Sequence, residues 1–216
     1  MCGRYSLTIS GEELAEIFGV NKIEFSPRYN IAPGQEVPVI SYIDDKKHLS
    51  MMRWGLVPSW ADKVSIGYKM INARAETIDQ KPSFRQSFFR RRCLIPADGY
   101  YEWEKKGKEK LPSRITLPNS EVFAFAGIWE YWEKGDTKLY TCSIITTEAS
   151  ESVKHIHHRM PVVLQEEMQE VWLQSNSKEQ FKCLLTSYSG EIDAYRVSQK
   201  VNSAVNDEPV CIEPVN

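Results

Sequence analysis

Gly99-Tyr100-Tyr101-Glu102-Trp103-Glu104 opens the stretch that decides the fold of this chain. It runs into the charged turn Lys105-Lys106-Gly107-Lys108, and strand-like runs follow at 114–117, 122–132 and 138–145. The breakers between them are Pro118-Asn119-Ser120 and Lys134-Gly135-Asp136. Aromatic and β-branched runs separated by short polar turns predict an antiparallel meander rather than strand–helix–strand crossovers. Working back from it, 37–43 and 49–57 read as two more strands joined by Asp44-Asp45-Lys46-Lys47. Ser10-Gly11-Glu12-Glu13 ahead of Leu14, Ile17 and Phe18 has the capping-box pattern of a short amphipathic helix, with Gly19 as its stop. The segment 83–92 has helical composition, with Phe84, Phe88 and Phe89 on its buried side. Downstream, 149–156, 166–173 and 179–185 read as helices, and 161–164 and 194–197 as strands. No repeat or linker divides the chain. The expectation is one α+β domain over 1–216, with a central curled, mostly antiparallel, barrel-like β-sheet and peripheral helices.

The 216 residues are 42% hydrophobic and 26% charged, enough for a sizeable core. Net charge is −2, so any nucleic-acid binding must come from a local patch. No run is apolar enough to span a bilayer, and no signal peptide is visible, so a soluble cytoplasmic protein without membrane contact is expected. The five cysteines are widely spaced with no CxxC pair, which argues against a disulfide framework and a structural zinc site. Cys93, Cys142 and Cys183 read as small buried hydrophobes. No cofactor is implied, and a monomer is the default.

Chemistry concentrates in a few places. Cys2 follows Met1 directly, and removal of Met1 would give it a free α-amine beside its thiol. Such a 1,2-aminothiol condenses with an aldehyde to an imine and then closes a thiazolidine ring. In Asn72-Ala73-Arg74-Ala75-Glu76, extended geometry places the three polar side chains on one face, although Arg74 and Glu76 pairing with each other on a surface strand is the plainer reading. Glu102 lies between Tyr101 and Trp103, where desolvation would raise its pKa and suit it to proton transfer; an outward-facing carboxylate is the commoner case. His155-Ile156-His157-His158-Arg159 holds three of the four histidines, better suited to acid–base work than to a metal. Trp54 and Trp60 could stack on unpaired bases, though core tryptophans are commoner. Arg90-Arg91-Arg92 reads as a solvated face.

Together these segments resemble the SRAP family, the HMCES/YedK-type abasic-site-processing proteins also called SOS-response-associated peptidases. The matching pieces are MCGRY at 1–5, NIAPGQ at 30–35, RWGLVPSWA at 53–61, INARAET at 71–77, RRCLIPADGYYEW at 91–103 and HHRMPVVL at 157–164. The resemblance implies binding of single-stranded DNA with an abasic site and covalent capture of the ring-opened deoxyribose by Cys2 as a protective thiazolidine crosslink. By motif, Asn72 would hold the N-terminal amine, Glu102 would give and take the proton of imine formation, and His157 would assist sugar-ring opening. Arg4, Arg74 and Arg159 would contact phosphates, and Trp54 or Trp60 would pack against bases. Two other readings stay open: an N-terminal-nucleophile amidase or peptidase that processes its own Met1, and a non-catalytic single-stranded-DNA binding module. Nucleoid association fits the DNA reading, while replication-associated partners leave no motif.

Overall fold

The computed structural model describes residues 2–215; Met1, whose removal the thiazolidine expectation requires, lies outside them. The first half of the chain forms β1 (Tyr5–Leu7), α1 (Gly11–Phe18), β2 (Arg28–Ile31), β3 (Glu36–Ile43), β4 (Lys46–Trp54), β5 (Asn72–Arg74), α2 (Pro82–Arg90) and β6 (Arg92–Ala97). Then follow β7 (Gly99–Lys106), β8 (Glu109–Thr116), β9 (Phe123–Lys134), β10 (Thr137–Glu148), β11 (Arg159–Pro161), β12 (Val163–Leu164), α3 (Glu166–Gln174), α4 (Lys178–Cys183) and β13 (Asp193–Arg196).

Turn chemistry makes the hairpins. Asp44 and Asp45 both take positive φ, 49° and 57°, the twist that two-residue β-hairpins favour. The β9–β10 hairpin turns at Gly135, with φ 59°. The Ser10–Glu13 capping box and the left-handed Gly19 C-cap bound α1 as the sequence predicts.

Five strands close on themselves. β3 pairs with β4 and β6, β6 with β9, and β9 with β10, all antiparallel. β10 then closes the ring by running parallel to β4 at Thr141 and Cys142. Further along, β10 pairs parallel with β5 and antiparallel with β11. A second, wholly antiparallel sheet has the order β13-β8-β7-β1-β2. The architecture is therefore a single mostly β domain of α+β type with a barrel-like, mostly antiparallel centre.

The meander is broken once. Leu117-Pro118-Asn119-Ser120 carries the chain from β8 in one sheet to β9 in the other, so those strands are not neighbours. The segment 149–156 is a series of turns, not a helix; its few bonds run back three or four residues from Val153, Lys154 and Ile156, too short a run to offset helix nucleation. Cys183 is exposed rather than buried. The Arg90–Arg92 cluster is not one solvated face. Arg92 is buried in β6, its guanidinium donating to the carbonyls of Phe88, Phe89, Trp172 and Ser175 at 2.6–3.2 Å. It thereby serves as a shared cation for the C-terminal ends of α2 and α3.

Candidate active site

β1 delivers Cys2 to the site. Tyr5 pairs with Tyr100 and Ser6 with Gly99, and the Tyr101 N–H donates to the Arg4 carbonyl at 2.9 Å. The start of the chain thus lies along β7. Buried Asp98 locks that register: it accepts from Ser6 Oγ at 2.6 Å, from the Thr8 N–H at 2.6 Å and from Arg114 Nη2 at 2.8 Å. Gly99 is required by this packing, because a Cβ there would stand 2.6 Å from Arg114 Nε.

Cys2 is fully buried. Asn72 Nδ2 donates to its carbonyl at 2.7 Å, and Sγ lies 3.9 Å from the Arg4 carbonyl oxygen. Burial pushes the thiol well above the ordinary cysteine range, and the charge of Glu102 pushes the same way. At neutral pH the sulfur is therefore a protonated thiol.

Alternation along β7 puts Tyr100 and Glu102 on one face. Glu102 is 3% exposed, and burial raises its carboxyl to about 7 although the positive N-terminus opposes the rise. Both of its protonation states are populated near neutrality. His157 sits in the turn before β11. The Arg159 N–H donates to its Nδ1 at 3.0 Å, and the Arg159 carbonyl oxygen lies 3.2 Å from the same nitrogen. A neutral ring accepts from the N–H and a protonated one donates to the carbonyl, so each state has a local partner. Burial first, then the N-terminal charge, holds His157 below the ordinary histidine value. The two adjacent imidazoles stack at 4.5 Å, but they differ in setting: His157 is half-buried and His158 exposed. The N-terminal charge acts on Cys2, Glu102 and His157 alike, and Asn72 joins them through the Cys2 backbone.

The other candidates divide. Trp60 is 61% exposed, whereas Trp54 is 1% exposed. Trp54 packs edge-on against Tyr5 at 5.3 Å and donates Nε1–H to the Ile71 carbonyl at 2.9 Å. It is a core residue and offers no face to a base. Arg74, at the end of β5, is exposed. Glu76 lies beyond the strand and pairs not with Arg74 but with Arg159, whose Nη1 and Nη2 donate to its two carboxylate oxygens at 2.6 and 3.0 Å. Arg159 also donates to the Thr146 carbonyl at 2.6 Å, so its buried guanidinium is engaged within the protein rather than presented to a phosphate. Arg4 is half-buried, with Nη1 donating to Asn30 Oδ1 at 2.8 Å and to the Val201 carbonyl at 2.7 Å.

Sequence reading missed Tyr68, which is 61% exposed and stacked under Arg53 at 5.4 Å. It also missed the role of Asn30, which stood inside a quoted motif with no chemistry assigned to it. Among the described residues, no group of three or more His, Cys, Asp or Glu is placed to hold a metal ion. No helix among them is long and apolar enough to cross a membrane.

Comparison with known proteins gives the family. The family model for SOS response associated peptidase (SRAP) matches residues 1–204. The chain is 43% identical to the abasic site processing protein YoqW of Bacillus subtilis (strain 168), over 99% of both chains. It is 34% identical to the abasic site processing protein HMCES of Gallus gallus, covering 88% of this chain and 67% of that protein. A crystal structure of a protein from Bacteroides thetaiotaomicron superposes with a TM-score of 0.91 at 29% identity, covering 100% of both chains. By sequence match across nearly its whole length, the chain belongs to the SRAP family.

Proposed function

We propose that this protein processes abasic sites in single-stranded DNA, trapping the open-chain deoxyribose aldehyde on Cys2 as a thiazolidine once Met1 has been removed. One observation carries the reading: buried Cys2, which removal of Met1 would make N-terminal, shares its surroundings with a carboxyl whose pKa is raised to about 7. A carboxyl so poised can both give and accept a proton at neutral pH.

The steps balance on these residues. The neutral Cys2 amine attacks the aldehyde carbon, forming the C–N bond of a carbinolamine. Protonated Glu102 gives its proton to the departing hydroxyl, which leaves as water, and a protonated imine (iminium) remains. The Cys2 thiol passes its proton to the Glu102 carboxylate as the sulfur adds to the iminium carbon, so the ring nitrogen becomes a neutral secondary amine and Glu102 is protonated again. The thiol's raised pKa makes that acceptor necessary, because little thiolate exists beforehand. Asn72 fixes the Cys2 backbone through its Nδ2, while its buried Oδ1 has no partner among the described residues and is the natural acceptor for an α-amine N–H. Neutral His157 assists ring opening of the sugar hemiacetal and the reverse reaction. Arg4 and Arg74 meet phosphates, and Trp60 stacks on a base.

The same thiol and carboxyl are the groups on which self-removal of Met1 would draw, which ties the peptidase label to this site. The protein acts as a monomer in the cytoplasm or on the nucleoid. The test uses mature protein, its N-terminal Cys2 verified by intact mass, with single-stranded DNA carrying one abasic site. A heat-stable shifted band with the mass of protein plus DNA less one water is expected, absent in Cys2→Ala. No adduct from wild-type protein would overturn the reading.

A further inference from the structure

After β13 the chain makes a 3₁₀ turn, Gln199–Asn202, and continues across the second sheet. Two consecutive residues of that turn grip both flanks of the site. The Val201 carbonyl accepts from Arg4, two residues beyond Cys2, at 2.7 Å. Asn202 Oδ1 accepts from Nε1 of Trp103, the residue after Glu102, at 2.6 Å. Fully buried Asn30 locks the turn in place: its Nδ2 lies 3.3, 3.0 and 2.6 Å from the carbonyls of Val201, Ser203 and Asn206. Its Oδ1 shares Arg4 Nη1 with Val201. Asp207 ties the next stretch down by accepting from the Tyr29 and Asn30 N–H groups at 2.6 and 2.8 Å. Buried Val201 and Cys211 pack with Tyr101 in a separate small core.

A segment that merely finished the fold would have no reason to choose Arg4 and Trp103 as its contacts. Both bonds to Arg4 use Nη1, which fixes the guanidinium and leaves Nη2 for an anion. We propose that the C-terminal turn is a positioning element of the site, with Asn30 aiming Arg4 at a DNA phosphate and Asn202 steadying Trp103 beside Glu102. The Arg4 half rests on the DNA reading above.

The test uses the full chain in two assays. One measures binding of single-stranded DNA with an unreactive tetrahydrofuran abasic analogue between 50 and 200 mM salt; the other measures crosslinking of authentic abasic DNA at saturating DNA. Arg4→Ala should flatten the slope of log affinity against log salt by about 0.7, one phosphate's worth on a single strand. Asn30→Ala and Asn30→Ser, assayed where circular dichroism shows each folded, should do the same, because the guanidinium loses the acceptor that aims it, and the double variant with Arg4→Ala should flatten it no further. A purely structural Asn30 would lower the melting temperature and leave that slope unchanged. If Arg4→Ala flattens it and the folded Asn30 variants do not, the positioning role is overturned while the phosphate reading stands. If Arg4→Ala leaves it unchanged, the phosphate reading falls and takes this half of the inference with it. Asn202 is exposed, so its variants should fold. Asn202→Ala should slow crosslinking roughly tenfold with an unchanged melting temperature, and Asn202→Asp, which keeps the acceptor, should restore it. An unchanged rate in Asn202→Ala, or no rescue, would overturn the Trp103 half.

Discussion

Glu102 and Glu130 are each 3% exposed, and each stands between a tyrosine and a tryptophan, as Tyr101-Glu102-Trp103 and Trp129-Glu130-Tyr131. Their surroundings give them opposite work. Glu130 faces α2, where it accepts from Arg91 Nη1 at 3.0 Å and Ser87 Oγ at 3.1 Å; a cation and a hydroxyl make it an anchor. Burial raises the Glu102 carboxyl to about 7 even though the positive N-terminus pulls the other way. Bonds to a guanidinium and a hydroxyl hold Glu130 in place, whereas burial that outweighs the charge acting on it leaves the Glu102 proton exchangeable.

Exchanging each carboxyl for an amide is the strongest way to break this comparison. Glu102→Gln should slow crosslinking by about 10²–10⁴-fold, the usual worth of a general acid–base group. Glu130→Gln should leave the rate within about twofold, yet cost roughly 3 kcal/mol of stability by stranding part of the Arg91 charge. Single-turnover crosslinking and chemical denaturation read the two effects. Equal rates for both variants would remove the distinction.

Stability against pH sharpens it further. Folded Glu102 keeps its proton up to about pH 7, while the unfolded chain releases it near the ordinary 4.5. Between those values the folded state binds more protons, so this group's contribution is fully present below 4.5 and is lost as pH rises through 7. Glu102→Gln, which cannot ionise, should therefore be more stable than wild type by about 3 kcal/mol at pH 8, with the gain fading toward pH 4.5. Urea midpoints across that range test it; a pH-independent difference would contradict it. Activity should fall on acidification as well, because His157 acts as the neutral ring that its lowered pKa favours.

The two tryptophans of RWGLVPSWA make a parallel contrast. Trp54→Ala should cost about 3–5 kcal/mol of stability, as deletion of a large buried aromatic does. Trp60→Ala should leave stability alone and weaken DNA binding by about 1–3 kcal/mol, the worth of one stacked base. Calorimetry and a binding titration separate these outcomes.

These contrasts mark where sequence reading stops. Hairpins at Asp44-Asp45 and Gly135 were legible because turn chemistry is local, and so was the Ser10–Glu13 cap. The barrel-like curl was expected, but the pairing that closes it was not legible: the parallel pairing of β10 with β4 and β5 joins Cys142 to Trp54 and Ile144 to Asn72, across separations no local pattern encodes. Three-residue strands such as β1 and β5 carry too few alternations to announce themselves. The motifs singled out Cys2, Asn72, Glu102 and His157 as candidates. Which of two tryptophans in one motif is buried was not legible, nor which of two aromatic-flanked glutamates an arginine pairs with, because both depend on what folds over them.

The smallest expected effect tests the same principle on arginines. Arg159 and Arg74 both entered as phosphate contacts, but Arg159 is clamped on Glu76 and the Thr146 carbonyl, while Arg74 stands exposed beside Asn72. A guanidinium already neutralised by a bidentate carboxylate releases few counterions on binding DNA, so its loss should register as stability rather than as salt dependence. Arg74→Ala should flatten the salt slope by about 0.7 and lower affinity only a few-fold at 150 mM salt, with the melting temperature unchanged. Arg159→Ala should lower the melting temperature and leave the slope near wild type. If the slopes respond the other way round, the ion pair with Glu76 must open when DNA binds, and Arg159 rather than Arg74 is the phosphate ligand.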